Sequence, residues 1–313
     1  MTTFELFGMT ITWDATLRNV VLCSIILGVT SGVLGCFAVL RRQSLIGDAV
    51  AHAALPGICL MYMITGTRSS ELLLIGGAIA GLVGVGVLIA ITRNSITKPE
   101  TGLGIVLSVF FGFGILLLTH IQHTDDAGQS GLDRFIFGQA ATILPSDVRT
   151  MGIVATLALG TVWLLFKEFK LLAFDPDFAA TLGMRTGVLG AVLASLLVMT
   201  VMIGLQTVGV ILMVSLLIAP AVAARQWTGS LSGMILLSGV FGMLSGVSGA
   251  VLSSLVDRLP TGPMIVIAAS LIVMVSLLFA PNRGVVSTLR MRRRRARQFQ
   301  AALEPTIHHR ISA

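Results

Sequence analysis

The sequence predicts an all-α protein, a polytopic bundle of about eight to nine membrane-spanning helices with its N-terminus outside and its C-terminus in the cytoplasm. Three observations predict it. Of 313 residues, 55% are hydrophobic and only 11% charged, with a mean hydropathy of +0.95, far from the balance of a water-soluble domain. The charged residues are gathered between long uncharged stretches. The basic ones fall on alternate connections between those stretches.

A hydrocarbon core of roughly 30 Å needs about 20 apolar residues at about 1.5 Å of rise each. Stretches free of Asp, Glu, Lys and Arg run from Asn19 to Leu40, Ala49 to Thr67, Leu72 to Thr92, Thr101 to Thr124, Thr150 to Phe166, Thr186 to Ala224, Gln226 to Val256 and Leu259 to Asn282. The sixth is twice the length one crossing requires. Its interior carries Gly204-Leu205-Gln206-Thr207-Val208-Gly209, a polar, glycine-flanked turn, so it reads as two spans and raises the total to nine. Residues 1–17 read as an outer or interfacial lead-in; Glu5 and Asp14 with no basic start argue against a cleaved signal peptide. Residues 18–282 form the membrane domain, with no inter-span loop long enough for a soluble one. Residues 283–313 are a basic tail.

Cytoplasmic loops retain an excess of Lys and Arg. With the N-terminus outside, the inner connections and tail hold 16 of the 21 basic residues, leaving Arg18, Arg68, Arg134, Arg149 and Arg258 outside. The tail, with Arg290, Arg292 to Arg295 and Arg297, suits anionic inner-leaflet membrane lipid; no nucleic acid is expected as a partner, since nothing near it resembles a reading domain. Cys23, Cys36 and Cys59 lie inside spans without paired spacing and read as packing residues. Glycines recur at three- and four-residue spacing, as in Gly28, Gly32 and Gly35 or Gly242, Gly246 and Gly249. Such stripes let helix backbones approach closely in lipid.

Asp48 and His52 are the most informative pair, because ionisable side chains inside a span are costly and mark function. Four residues apart, they share one helix face, where a carboxylate oxygen and an imidazole nitrogen can converge on a cation such as Mn, Fe or Zn. The competing reading is that Asp48 caps the span and His52 is satisfied within the bundle. Pro56 removes the N–H that would bond the carbonyl of His52, so a kink or opening is expected beside the pair. Pro220 frees the carbonyl of Leu216 in the same way, as a second kink or hinge. Two donors do not complete a four- to six-ligand site, which points to a second copy across a dimer axis.

Two connections stand apart. The outer loop from His120 to Asp147 carries His120, His123, Asp125 and Asp126, candidates for an outer metal-capture site, with Phe135, Ile136 and Phe137 as a docking patch; His308 and His309 are a weaker candidate. The longest inner connection, Lys167 to Arg185, contains Asp175, Pro176 and Asp177 followed by Phe178 to Gly183: an N-cap acid, proline at the first helical position, an acid in the first turn and a glycine stop. A short cytoplasmic helix is predicted there.

The chain carries no ATP-hydrolysing machinery of the phosphate-loop kind. That loop ends in Gly-Lys-Ser/Thr, and none of the three lysines, Lys98, Lys167 and Lys170, follows a glycine. A His-Glu-x-x-His zinc-protease motif is likewise missing, so an enzyme is not expected.

The segment from Arg41 to Gly57, Arg-Arg-Gln-Ser-Leu-Ile-Gly-Asp-Ala-Val-Ala-His-Ala-Ala-Leu-Pro-Gly, resembles the signature of bacterial manganese, zinc and iron permeases of the ABC importer class, the ABC-3 type. The stretches Phe174 to Gly183 and Val208 to Ala221 are similar to the same family, and together the resemblance covers roughly Thr16 to Pro281. It implies a permease subunit in the bacterial cytoplasmic membrane, paired with a second permease subunit, two cytoplasmic ATP-binding-cassette ATPases and an extracytoplasmic metal-binding protein. No permanently bound cofactor is implied; the divalent metal is cargo. By this resemblance Asp48 and His52 are metal ligands in the translocation path, and Phe174, Asp175, Pro176, Asp177, Phe178 and Gly183 belong to the helix that couples to the ATPase. The alternatives are a siderophore or cobalamin permease, which leaves the Asp-His pair unexplained, and an ion-driven secondary transporter, for which the second half shows no matching pair.

Overall fold

The computed structural model describes residues 3–6, 9–12, 15–67, 69–124, 143–255, 259–281 and 284–287. Among the described residues eleven helices follow a small antiparallel hairpin, β1 (Thr3–Leu6) and β2 (Met9–Thr12), in which Thr3 faces Thr12. They are α1 (Ala15–Leu40), α2 (Ile46–Thr65), α3 (Ser70–Asn94), α4 (Pro99–Thr124), α5 (Pro145–Leu164), α6 (Phe166–Phe174), α7 (Pro176–Thr181), α8 (Thr186–Thr207), α9 (Val210–Trp227), α10 (Leu231–Leu255) and α11 (Thr261–Phe279). Eight are long and apolar enough to cross a membrane, and α9 is a shorter apolar ninth. The helical bundle and the span count agree with the sequence reading. The hairpin is an addition to the lead-in.

The long sixth stretch divides as predicted, at Val208-Gly209, where Gly209 takes the left-handed φ of 85°. The turn is buried: Val208 is 1% exposed, and Gly262 at the start of α11 lies so close to its carbonyl that a side chain there would collide. Irregular backbone at that depth is tolerated because protein covers it. This explains why α9, at 18 residues or about 27 Å, is short for a span.

Helix α1 is the hub, packed on α10, α9 and α5. Its seam with α10 is closed by small residues: a Cβ on Gly28 would strike the backbone of Gly242 and the reverse, and Ser238 donates to the carbonyl of Gly32 at 2.7 Å. On the other side, α2 is clasped by α3 and α4. Gly57 and Gly76 meet backbone to backbone, and Leu55 fills the notch at Gly114. The glycine stripes are therefore packing surfaces, and Cys23, Cys36 and Cys59 are all free and buried.

Two expectations need correction. His120 and His123 are not in a loop; α4 continues to Thr124 and carries them on its last turns. The connection after α5 is not a loop with one short helix, because α6 follows α5 after the single residue Leu165. Phe169 of α6, fully buried, sets its ring edge-on against Phe37 of α1 at 5.7 Å, which gives the segment an apolar anchor while Lys167 and Lys170 stay exposed. Both Pro56 and Pro220 sit inside helices that run on past them.

Candidate metal site and docking helix

Helix α2 is buried along most of its length, and the reason is its sequence: Ala49, Val50, Ala51, Ala53, Ala54 and Gly57 are small enough to be surrounded. Near its start one short stripe stays open, Asp48 and His52, both partly exposed and four residues apart; Leu55, Pro56 and Cys59 beyond them are buried, and exposure returns only at the other end with Leu60, Met61, Met63 and Ile64. Asp48 and His52 occupy the first two turns, where the partial positive charge of the helix start favours a carboxylate. Asp48 does not cap the helix: Leu45 holds the N-cap position, with no side-chain hydrogen bond.

His52 Nε2 lies 3.4 Å from Asp48 Oδ1, with the two side chains 17% and 32% exposed. That separation suits two donors converging on one ion. The other ring nitrogen, Nδ1, is buried without a hydrogen-bond partner among the described residues. A buried orphan polar atom is costly; the facing nitrogen, Nε2, can donate a hydrogen to the Asp48 carboxylate or, without that hydrogen, offer its lone pair to an ion held between the two side chains. Phe111 of α4 stands edge-on to the imidazole, with ring centres 4.7 Å apart, and fixes its plane. Sequence reasoning missed Phe111, because nothing in a spacing of 59 residues signals that two helices will meet there.

Among the described residues no group of three or more His, Cys, Asp or Glu side chains is gathered, so the pair supplies two donors and no more. The structure does not bring His120 or His123 to it. His120 lies nine residues beyond Phe111 on α4, about 14 Å along the axis, toward the other end of the bundle. Both outer histidines are exposed. Asp125, Asp126, Asp133, Phe135 to Phe137, His308, His309 and the arginine-rich tail lie outside the described residues.

The predicted short helix is α7. The Asp175 carboxylate accepts from the Phe178 N–H at 2.9 Å, Pro176 takes the first helical position, Asp177 lies in the first turn, and Gly183 ends the segment at φ 79°. Ala179, fully buried, pins α7 to the bundle, while Phe174, Phe178 and Leu182 are 59%, 52% and 58% exposed. Phe174 at the end of α6, Phe178 on α7 and Leu182 just after it thus form an exposed apolar patch around the capped helix.

Residues 14–280 match the ABC 3 transport family. The zinc transport system membrane protein TroC of Treponema pallidum (strain Nichols) is 51% identical over 90% of this chain and 94% of its own length. The manganese transport system membrane protein MntC of Bacillus subtilis (strain 168) is 47% identical over 88% of this chain and 64% of its own. Among solved structures, PsaBC from Streptococcus pneumoniae in complex with Fab aligns at a TM-score of 0.77 and 32% identity, covering 87% of this chain and 94% of that one. With a match that takes in all nine apolar helices, the chain belongs to the ABC 3 transport family.

Proposed function

We propose that this chain is the membrane-spanning permease subunit of an ATP-driven importer that carries a divalent transition metal, manganese, zinc or iron, into the cytoplasm. The observation that carries the reading is the Asp48–His52 pair: two donors 3.4 Å apart, partly exposed on one face of the otherwise buried first half of α2, in a chain of this family. The names of the relatives point to manganese and zinc; iron shares the same donor preference.

In this reading a second permease subunit, identical or similar, faces the open stripe of α2 and completes the coordination shell, because two donors fall short of the four to six such ions take. An extracytoplasmic metal-binding protein delivers the ion at the end of the bundle where α4 terminates with His120 and His123. ATP is hydrolysed by a separate cytoplasmic ATPase, docked on Phe174, Phe178 and Leu182 around α7. Movement there reaches α8 directly, since α8 begins three residues after Gly183. Switching the open side requires two bundle states, each favoured by a different ligand.

The test is metal accumulation in cells carrying the intact system, with Asp48→Ala and His52→Ala compared against wild type after membrane insertion of each is verified. Loss of uptake of one metal supports the reading and identifies the cargo. Unchanged uptake of every metal would remove the pair from the path.

A further inference from the structure

At the end of the bundle that carries α6 and α7, a cavity of about 260 Å³ opens between the end of α1, the start of α2, the end of α3 and the start of α8. Its two halves differ in chemistry. The mouth is lined by Arg41, Gln43, Thr92 and Thr186, and the floor by Val85, Leu193 and Leu197 on the facing sides of α3 and α8. Among the described residues no carboxylate lies within ion-pairing distance of Arg41. Its guanidinium is half-buried, so desolvation pulls its pKa below the ordinary value, and a side chain at Gly190 would touch it. The first-turn N–H groups of Gly187 and Val188 have no acceptor among the described residues. A desolvated cation and uncompensated donors at the rim of an apolar slot call for an anion that carries an apolar tail.

Beyond this floor the α3/α8 seam is closed, where Gly81 packs on the buried Val198; a separate groove of about 360 Å³, lined by Leu74, Ala78, Met199 and Met202, lies farther along the same two helices. The mouth belongs to the face on which Arg42, Arg93, Lys98, Lys167, Lys170 and Arg185 also lie, which the positive-inside rule makes cytoplasmic.

We propose that this cavity is a binding site for one anionic phospholipid of the cytoplasmic leaflet, its phosphate held by Arg41, Gln43 and the first turn of α8, and the start of an acyl chain set against the apolar floor of Val85, Leu193 and Leu197. The membrane setting and the sidedness rest on the permease reading. The phosphate chemistry is shared with soluble anions; the apolar floor beneath the cation is what selects the lipid.

The experiment is native mass spectrometry of the full-length protein from mixed micelles of phosphatidylglycerol and phosphatidylcholine, with no metal and no ATP present. Wild type should retain phosphatidylglycerol over phosphatidylcholine by about fivefold, the worth of one surface cation against an anionic lipid. Arg41→Gln should abolish that preference and Arg41→Lys should restore most of it. Ala191→Phe, at an exposed lining position, blocks the mouth while keeping the guanidinium, and should lower retention of phosphatidylglycerol even if Arg41→Gln fails to fold. Equal retention of the two lipids, a preference unmoved by Arg41→Gln or by Ala191→Phe, or full protection by inorganic phosphate in lipid-free detergent would overturn the assignment, the last in favour of a soluble anion. The readout involves no transport, so it can fail while metal uptake depends on Asp48 and His52, or succeed where uptake does not.

Discussion

The α1/α10 seam and helix α2 are built from similar small residues, yet they finish differently. Across α1 and α10 the polar groups are satisfied locally: Ser238 bonds to Gly32, Thr30 and Ser31 bond to carbonyls one turn back, and the glycines bring the backbones together. On α2 the alanines and Gly57 pack as tightly, but His52 keeps a buried nitrogen without a partner and Asp48 stands partly open. Buried polar groups are rarely left unpaired, so the partnerless His52 Nδ1 sets this face of α2 apart from the α1/α10 seam; Thr200 Oγ1 and Glu168 Oε2 are the other such atoms among the described residues.

Four substitutions break or sharpen that contrast. Gly242→Leu should have the largest effect, since the side chain would enter the backbone of Gly28; the penalty is about 3 kcal/mol or more, seen as loss of monodisperse protein in detergent. Asp48→Asn should do the opposite, leaving the thermal midpoint of the purified protein nearly unchanged while reducing metal uptake at least about tenfold, because the charge faces the open stripe and not a packed neighbour. If Asp48→Asn unfolded the chain as Gly242→Leu does, the two regions would not differ in kind. Paired Phe174→Ala and Phe178→Ala should leave insertion intact and sharply lower co-purification of the ATPase, read by pull-down. The smallest effect is expected from Asp175→Ala, which removes the cap on α7 and costs about 1 kcal/mol of local helix stability; Asp175→Ser should recover most of the docking lost.

Much of this was legible in the chain before folding. The spans announce themselves because hydrocarbon tolerates few charges, and the Asp175 to Gly183 segment because each of its signals acts within four residues. The Asp48–His52 pair is a local helical spacing and was equally visible. His120 and His123 are less legible: their polar side chains suggest a loop, although the uncharged stretch runs past both to Thr124 and the helix ends there. Nothing local reveals Phe111 against His52, Phe169 against Phe37, or the slot beside Arg41, because each joins helices remote in sequence.

By itself, then, the sequence determined the solvent this chain lives in, the number of its crossings, the basic face and the two donors that share a helix turn, since all of these follow from composition and from contacts within one helix. Only the tertiary structure decided which side of α2 stays open, which ring orients His52, why α9 is short and where an unpaired guanidinium meets an apolar slot. Those depend on which small residues let which backbones touch, and in lipid, where apolar faces have no water to avoid, it is that close fit between distant segments that chooses the arrangement.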